Sequence, residues 1–170
     1  FDDLKMGKNG GQNSYLRPEY VERINGIDSI VKNTNSRIQR FSGYEQINLL
    51  QKIRYKPSEH IDLQYSFTYA GTSNAPRYDR LIQYRNGNLR FAEWNYGPML
   101  WRMHNFQMLH NKKTTVYNAI RLTAAYQNYD ESRIDRTRAS SIRNIQAEKV
   151  DAVSINLDAD KRLGKGELFY

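Results

Sequence analysis

Strict alternation of apolar and polar side chains marks the stretch from Ile61 to Ala70. Ile61, Leu63, Tyr65, Phe67 and Tyr69 fall on one face, and Asp62, Gln64, Ser66, Thr68 and Ala70 on the other. A period of two is the signature of a half-buried strand, and no helix pattern fits it. The residues before it alternate as well. Ile47, Leu49, Ile53 and Tyr55 share a face interrupted by Gln51, while Gln46, Asn48, Lys52 and Arg54 share a face interrupted by Leu50. The connection Lys56-Pro57-Ser58-Glu59-His60 is short and contains Pro, as a tight hairpin requires. Downstream, Val116, Ile120, Leu122, Ala124 and Tyr126 oppose Ala119, Arg121, Thr123, Ala125 and Gln127. Val153, Ile155, Leu157 and Ala159 oppose Ala152, Ser154, Asn156 and Asp158. Met99 to His110 is extended in character, but its faces are mixed. Met99, Trp101, Met103 and Leu109 share parity with Asn105 and Gln107, and Leu100, Phe106 and Met108 share it with Arg102, His104 and His110.

The pattern predicts an antiparallel all-β meander with strands near Tyr44–Lys56, Glu59–Thr72, Gly97–His110, Thr114–Tyr129 and Lys149–Asp160. Short remnants are expected at both ends, because Phe1 to Met6 and Glu167 to Tyr170 read as strands cut in mid-course, as in a piece of something longer. Within the first long connection, Val21 to Ile30 predicts a small hairpin about Asn25-Gly26.

Short and long connections alternate along this chain. Long ones are expected near 8–40, 72–96 and 130–147, with short turns between. In an up-and-down meander, alternate connections lie at the same end of the sheet. Outer-membrane barrels have this arrangement, with short periplasmic turns, long extracellular loops and strands of about 10 alternating residues. Aromatic placement agrees: Tyr69, Trp94, Tyr96, Tyr126 and Tyr129 lie near the ends bearing long loops and Tyr55 beside a short turn, as interfacial girdles require.

Composition alone points elsewhere. The 170 residues carry 26 Lys+Arg against 18 Asp+Glu, a formal charge of +8, which suits a basic soluble protein. No run approaches the roughly 18 apolar residues of a spanning helix, so a helical membrane protein is excluded. Cysteine is absent, which excludes disulfide scaffolds, thiolate metal sites and cysteine nucleophiles. The 13 tyrosines suit boundaries between dry and wet surroundings, whether a membrane interface or a nucleic-acid groove.

The chain resembles TonB-dependent outer-membrane receptors of the Bacteroidetes type over nearly its whole length. The resemblance is carried by FSGYEQINLLQKIRYKPSEHIDLQYSFTYAGTSNAPRYDRLIQYRNGNLRFAEWNYGP and by AIRLTAAYQNYDESRIDR. The first block pairs an inbound with an outbound strand and then enters a loop with Pro76-Arg77-Tyr78-Asp79-Arg80. The second is a strand leaving the membrane through Tyr126-Gln127-Asn128-Tyr129-Asp130-Glu131-Ser132-Arg133. The resemblance implies a transmembrane barrel of about 22 strands around an amino-terminal plug, of which this chain supplies about five full strands and a remnant at each end. It implies energised uptake of a nutrient or metal chelate, driven through TonB by way of a plug outside this segment. It also implies a place in the bacterial outer membrane, among lipid, lipopolysaccharide and the remainder of the barrel, with no nucleic acid as partner.

No catalytic constellation is visible, so no enzyme, cofactor or metal site is expected. His60, His104 and His110 are too scattered for a metal triad, and Arg85-Asn86-Gly87-Asn88 reads as a turn rather than a phosphate loop. Two basic clusters remain: Arg77, Arg80, Arg85 and Arg90 with Tyr78 and Tyr84, and Arg133, Arg136, Arg138 and Arg143. In a basic soluble β-rich module, Arg interleaved with Tyr would bind nucleic acid through phosphates and stacking, and this is the alternative function. Asp79, Glu93, Asp130, Glu131 and Asp135 are interspersed, however, and favour ion pairs between loops. The candidate ligand-binding vestibule is therefore Arg77, Tyr78, Asp79 and Arg80 with Glu131, Arg133 and Arg136. Lys52, Arg54, Gln64, Arg121 and Gln127 are expected to line a wet or plug-packed barrel interior.

Overall fold

Where the sequence alternates, the chain extends. The computed structural model describes residues 2–7, 16–164 and 166–169, and these form antiparallel sheets with one short helix. In order come β1 (Glu19–Ile24), β2 (Ile27–Lys32), β3 (Gln46–Ser58), β4 (Ile61–Thr72), β5 (Ala75–Pro76), α1 (Tyr78–Leu81), β6 (Tyr84–Arg85) and β7 (Asn88–Leu89). There follow β8 (Phe91–Tyr96), β9 (Leu100–Asn111), β10 (Ala119–Thr137), β11 (Asn144–Leu163) and β12 (Gly166–Phe169). The main sheet has the order β12-β11-β10-β9-β4-β3, with β8 joined to β10 and to β5. Among the described residues, β3 and β12 stand at opposite edges and no pairing joins them, so this sheet is not closed.

The chain divides into two compact units. One contains residues 48–70, 100–129 and 149–170, the alternating strands and their turns. Here the side-chain contacts define two faces. Arg54 forms a bidentate ion pair with Asp62, and Trp101 Nε1 donates to Gln127 Oε1 at 3.3 Å, which places these residues together on a polar face. On the other face the Tyr65 hydroxyl lies 2.8 Å from His104 Nδ1, and the Phe67 and His104 rings are 4.9 Å apart. The mixed strand is thereby resolved: β9 turns Leu100, Arg102, His104, Phe106 and Met108 to the side of Tyr65, and Trp101, Met103, Asn105 and Gln107 to the side of Gln64 and Ser66. On the Tyr65 side, the Tyr126 hydroxyl donates to Asp151 Oδ1 at 2.7 Å. Ile47, Leu49, Ile53 and Tyr55 of β3, and Val153, Ile155 and Leu157 of β11, are all more than half exposed.

The other unit contains residues 1–47, 71–99 and 130–148, and it holds nearly all of the buried apolar side chains: Val21, Leu81, Leu89, Phe91 and Ile134. The predicted hairpin is β1–β2, with Glu19 opposite Lys32 and Ile24 opposite Ile27. Its turn places both Asn25 (φ 50) and Gly26 (φ 81) in the left-handed region, the requirement that makes Asn-Gly the favoured pair. Asn86 (φ 51) and Gly87 (φ 75) form the same turn between β6 and β7. The buried Asn33 amide donates to the carbonyls of Arg17 and Ile38, each at 2.9 Å, and fastens the hairpin base.

Beyond shifts of up to three residues at other strand ends, four stretches differ from the expectation. The leading remnant is an isolated bridge between Lys5 and Ile38 rather than a strand; Phe1, Tyr170 and positions 8–15 lie outside the described residues. β10 starts at Ala119, not Thr114, because the Thr114 hydroxyl accepts from the Val116 and Tyr117 amides and holds a local turn. The expected connection near 130–147 is mostly strand: β10 continues to Thr137 and β11 begins at Asn144. Its extension is sustained by pairing with β8, with Arg133 opposite Tyr96 and Asp135 opposite Trp94. The region near 72–96 is likewise ordered into β5, α1, β6, β7 and β8.

Candidate functional site

β8 alternates Ala92, Trp94 and Tyr96 with Phe91, Glu93 and Asn95. The period of two puts Trp94 and Tyr96 on one side, where their rings meet edge to face at 5.1 Å. Arg77, just before α1, stacks its guanidinium over both: 4.9 Å from the Trp94 ring centre and 5.6 Å from that of Tyr96. Arg77 also donates through Nε and Nη2 to the Asp79 carboxylate, each at 2.9 Å, and through Nη1 to the Tyr96 hydroxyl at 3.2 Å. The Asp79 carboxylate raises the guanidinium's pKa further, so Arg77 is a permanent cation. Arg80 approaches Trp94 from α1 at 5.9 Å, and Arg133 of β10 approaches Tyr96 at 6.0 Å.

The result is a ladder of three cations on two aromatic rings, with Asp79 as the one carboxylate bonded to Arg77. It gathers four of the predicted site residues: Arg77, Asp79, Arg80 and Arg133. Arg77 is fully engaged, while Arg80 and Arg133 keep 37% and 48% of their side chains exposed. Chemically, the ladder orders the residues that carry it, and its two outer guanidinium groups are partly exposed beside carboxylates, Arg80 4.0 Å from Asp79 and Arg133 3.6 Å from Glu148.

The other three predicted residues are placed differently. Tyr78 faces the Arg17 guanidinium, 5.8 Å from its ring, and burial pushes its phenol pKa up. Glu131 lies half-buried on β10, two positions before Arg133. Arg136 is buried and points to the hairpin, where it grips Asp28 of β2 with Nη1 at 2.6 Å and Nη2 at 2.8 Å. The Ala139 amide donates to the same carboxylate at 2.8 Å. The Arg136 hydrogen bonds hold the Asp28 pKa below the ordinary carboxylate value against the opposing effect of burial.

Charges between long connections pair as the interspersed acids suggest. Arg143 donates to Glu93 through Nε at 2.8 Å and Nη2 at 2.9 Å, and Asn95 adds a third hydrogen bond at 2.9 Å. Arg143 accordingly depresses the Glu93 pKa. Arg133 also lies 3.6 Å from Glu148.

Sequence reasoning did not single out Trp94 and Tyr96 as the hub of the site, treating them only as interfacial aromatics. Their spacing of two, opposite an Arg-rich segment, is the available signal. Asp28 and Arg17 carried no local signal at all. The chain matches no known family model, no curated protein and no solved structure.

Proposed function

We propose that this chain is a segment of a TonB-dependent outer-membrane receptor, built for energised uptake of a nutrient or metal chelate. The observation that carries the reading is the pair of faces on the alternating strands. One face is lined by Ile53, Tyr65, Phe67, Val153, Ile155 and Leu157, with much of this apolar surface exposed; the other bears Lys52, Arg54, Asp62, Gln64, Asn105 and Gln127. Among the described residues of this unit, Ala159 is the one buried apolar side chain, so the sheet has no interior of its own. An apolar sheet face of this extent needs hydrocarbon or protein to cover it, and a transmembrane barrel supplies lipid outside and a wet or plugged interior.

In this proposal the strands belong to a barrel of about 22, closed by further strands and filled by a plug that TonB engages. The unit containing the aromatic–Arg ladder is its extracellular part, facing lipopolysaccharide and cargo. A basic soluble β-rich nucleic-acid-binding module fits less well. Arg77, Arg136 and Arg143 are already engaged by carboxylates, and an exposed apolar face has no role in phosphate binding.

The chain contains no cysteine, so single Cys substitutions report one site each. Spin labels at Ile53 and Ile155 should show high oxygen and low nickel-chelate accessibility in lipid nanodiscs, and labels at Lys52 and Asn156 the reverse. Equal accessibility profiles on the two faces would overturn the membrane reading.

A further inference from the structure

The Arg17 side chain is almost wholly buried, with 2% of its surface exposed. Its Nη1 donates to the Arg40 carbonyl, its guanidinium lies over Tyr78, and its Nε has no hydrogen-bond partner. Among the described residues, no carboxylate stands within ion-pair distance of it. This sets Arg17 apart from Arg136, which is also buried but faces Asp28. A guanidinium cannot shed its proton to relieve burial, so an enclosed and unpaired one is unfavourable unless an anion completes it. Burial does press its pKa downward, opposed by nearby Tyr78 and Asp3.

Arg17 also lines a pocket of about 420 Å³. Leu16, Pro18, Ile82 and Leu89 supply apolar walls, while Ser36, Glu19 and Tyr84 supply polar groups. The Tyr84 hydroxyl donates to Glu19 Oε1 at 3.0 Å, so that carboxylate is already engaged. The volume lies within the range of about 300–1,000 Å³ typical of small-molecule sites, and the combination of apolar wall and few polar groups is their usual chemistry.

We propose that this pocket binds a small monoanion with an apolar body, its carboxylate seated on Arg17 and its body against Ile82 and Leu89. The Glu19 carboxylate at the same pocket selects against a second negative charge. The site lies apart from the Trp94–Tyr96 ladder and lies wholly within one unit. It stands independently of the membrane reading.

The test uses purified full-length protein and two matched probes, 4-(trifluoromethyl)phenylacetate and its neutral amide, followed by fluorine NMR. The acid should bind saturably with a Kd of about 1 mM or tighter, and the amide about tenfold more weakly or worse. Arg17→Gln should reduce the acid to the level of the amide and leave the amide unchanged. Arg17→Lys should retain part of the preference, since it keeps the charge but loses the planar fork. Leu89→Trp, which fills the pocket, should abolish binding of both. Absence of saturable acid binding, equal affinity for acid and amide, or unchanged acid binding in Arg17→Gln would each overturn the proposal. If Arg17→Gln fails to fold, the acid–amide comparison on unaltered protein and the Leu89→Trp variant decide the matter.

Discussion

Asp28 and Arg136 are 108 positions apart in sequence and meet in a two-pronged ion pair at 2.6 and 2.8 Å, with side-chain exposures of 2% and 10%. The pair locks the β1–β2 hairpin onto the C-terminal end of β10. Removing one partner strands the other charge in a poorly solvated place, which costs about 3 kcal/mol. Asp28→Ala should therefore release the hairpin. The check is hydrogen exchange: amides of residues 19–32 should lose protection, while those of 100–111 keep theirs.

The same contacts set a pH window. Asp28 and Glu93 have pKa values held below the ordinary range, chiefly by hydrogen bonds from Arg136 and Arg143. A carboxylate depressed on folding contributes its full stabilisation above its unfolded pKa, and that contribution is lost as pH falls through the folded value. The segments around these pairs should hold constant protection from about pH 5 to 8 and loosen only below about pH 4. Loosening centred near pH 6.5 would contradict this assignment and implicate a histidine.

Neighbouring residues on β4 should respond oppositely to charge. Tyr65 stands with Phe67 and His104, whereas Ser66 stands with Lys52, Arg54 and Gln64. Under the membrane proposal Tyr65→Arg costs about 2–4 kcal/mol at mid-bilayer and Ser66→Arg much less. Folding titrations of the full-length protein into lipid vesicles measure both. Equal effects would reject the lipid-facing assignment.

Gly97 has φ +95, and a Cβ added there would stand 2.9 Å from the Ser73 carbonyl oxygen. Its own amide donates to Ser132 O and its carbonyl accepts from the Ser132 hydroxyl, each at 2.7 Å. The backbone cannot move away without giving these up. Gly97→Ala should destabilise the β8–β9 link by about 2 kcal/mol, visible as faster exchange of the Gly97 and Met99 amides. Gly87→Ala meets open space and is strained only by its φ of +75, so it should cost less.

Replacing Arg80 and Arg133 together by Ala removes both outer cations of the ladder while Arg77 stays bonded to Asp79. The expected result is greater mobility of residues 77–96 with the main sheet intact and, under the receptor proposal, altered cargo binding. Trp94→Ala should act more strongly, since Arg77 and Arg80 both lose a ring face, at about 1 kcal/mol. Site-specific exchange rates measure each. Unchanged mobility, together with unchanged uptake under the receptor proposal, would remove these residues from a vestibule role.

Local periodicity made the strands legible. Ile61 to Ala70 declares both its conformation and its faces, and Asn25-Gly26 declares a hairpin because few other pairs tolerate two positive φ values. Met99 to His110 was illegible in its faces because Arg102 and His104 sit among apolar neighbours, and what orients them is a ring contact with Phe67 and a hydrogen bond to Tyr65. The end of β10 was missed for a related reason. Asp130 to Thr137 shows no apolar alternation because its buried face carries Arg136, paired with Asp28, beside Ile134, while pairing of Arg133 to Thr137 with β8 keeps the backbone extended. Within the site, the Arg and acid composition was visible but partner choice was not. Nothing near Arg136 in sequence specifies Asp28, because that contact depends on where a separate hairpin folds.

Among the described residues, β3 and β12 are the edge strands of the main sheet, each paired with a neighbouring strand on one side, and an edge strand is a template for a strand that comes alongside. Six alternating strands make these two flanks run in opposite directions, so the β12 edge of one molecule is a matching template for the β3 edge of the next. Joined head to tail, copies would form a heterologous contact that repeats, closing into a ring if the curvature suits and growing into filaments if it does not. A preparation of this chain alone should therefore be watched for ladders of multimers on native gels. Short matching strand peptides added in excess should terminate them.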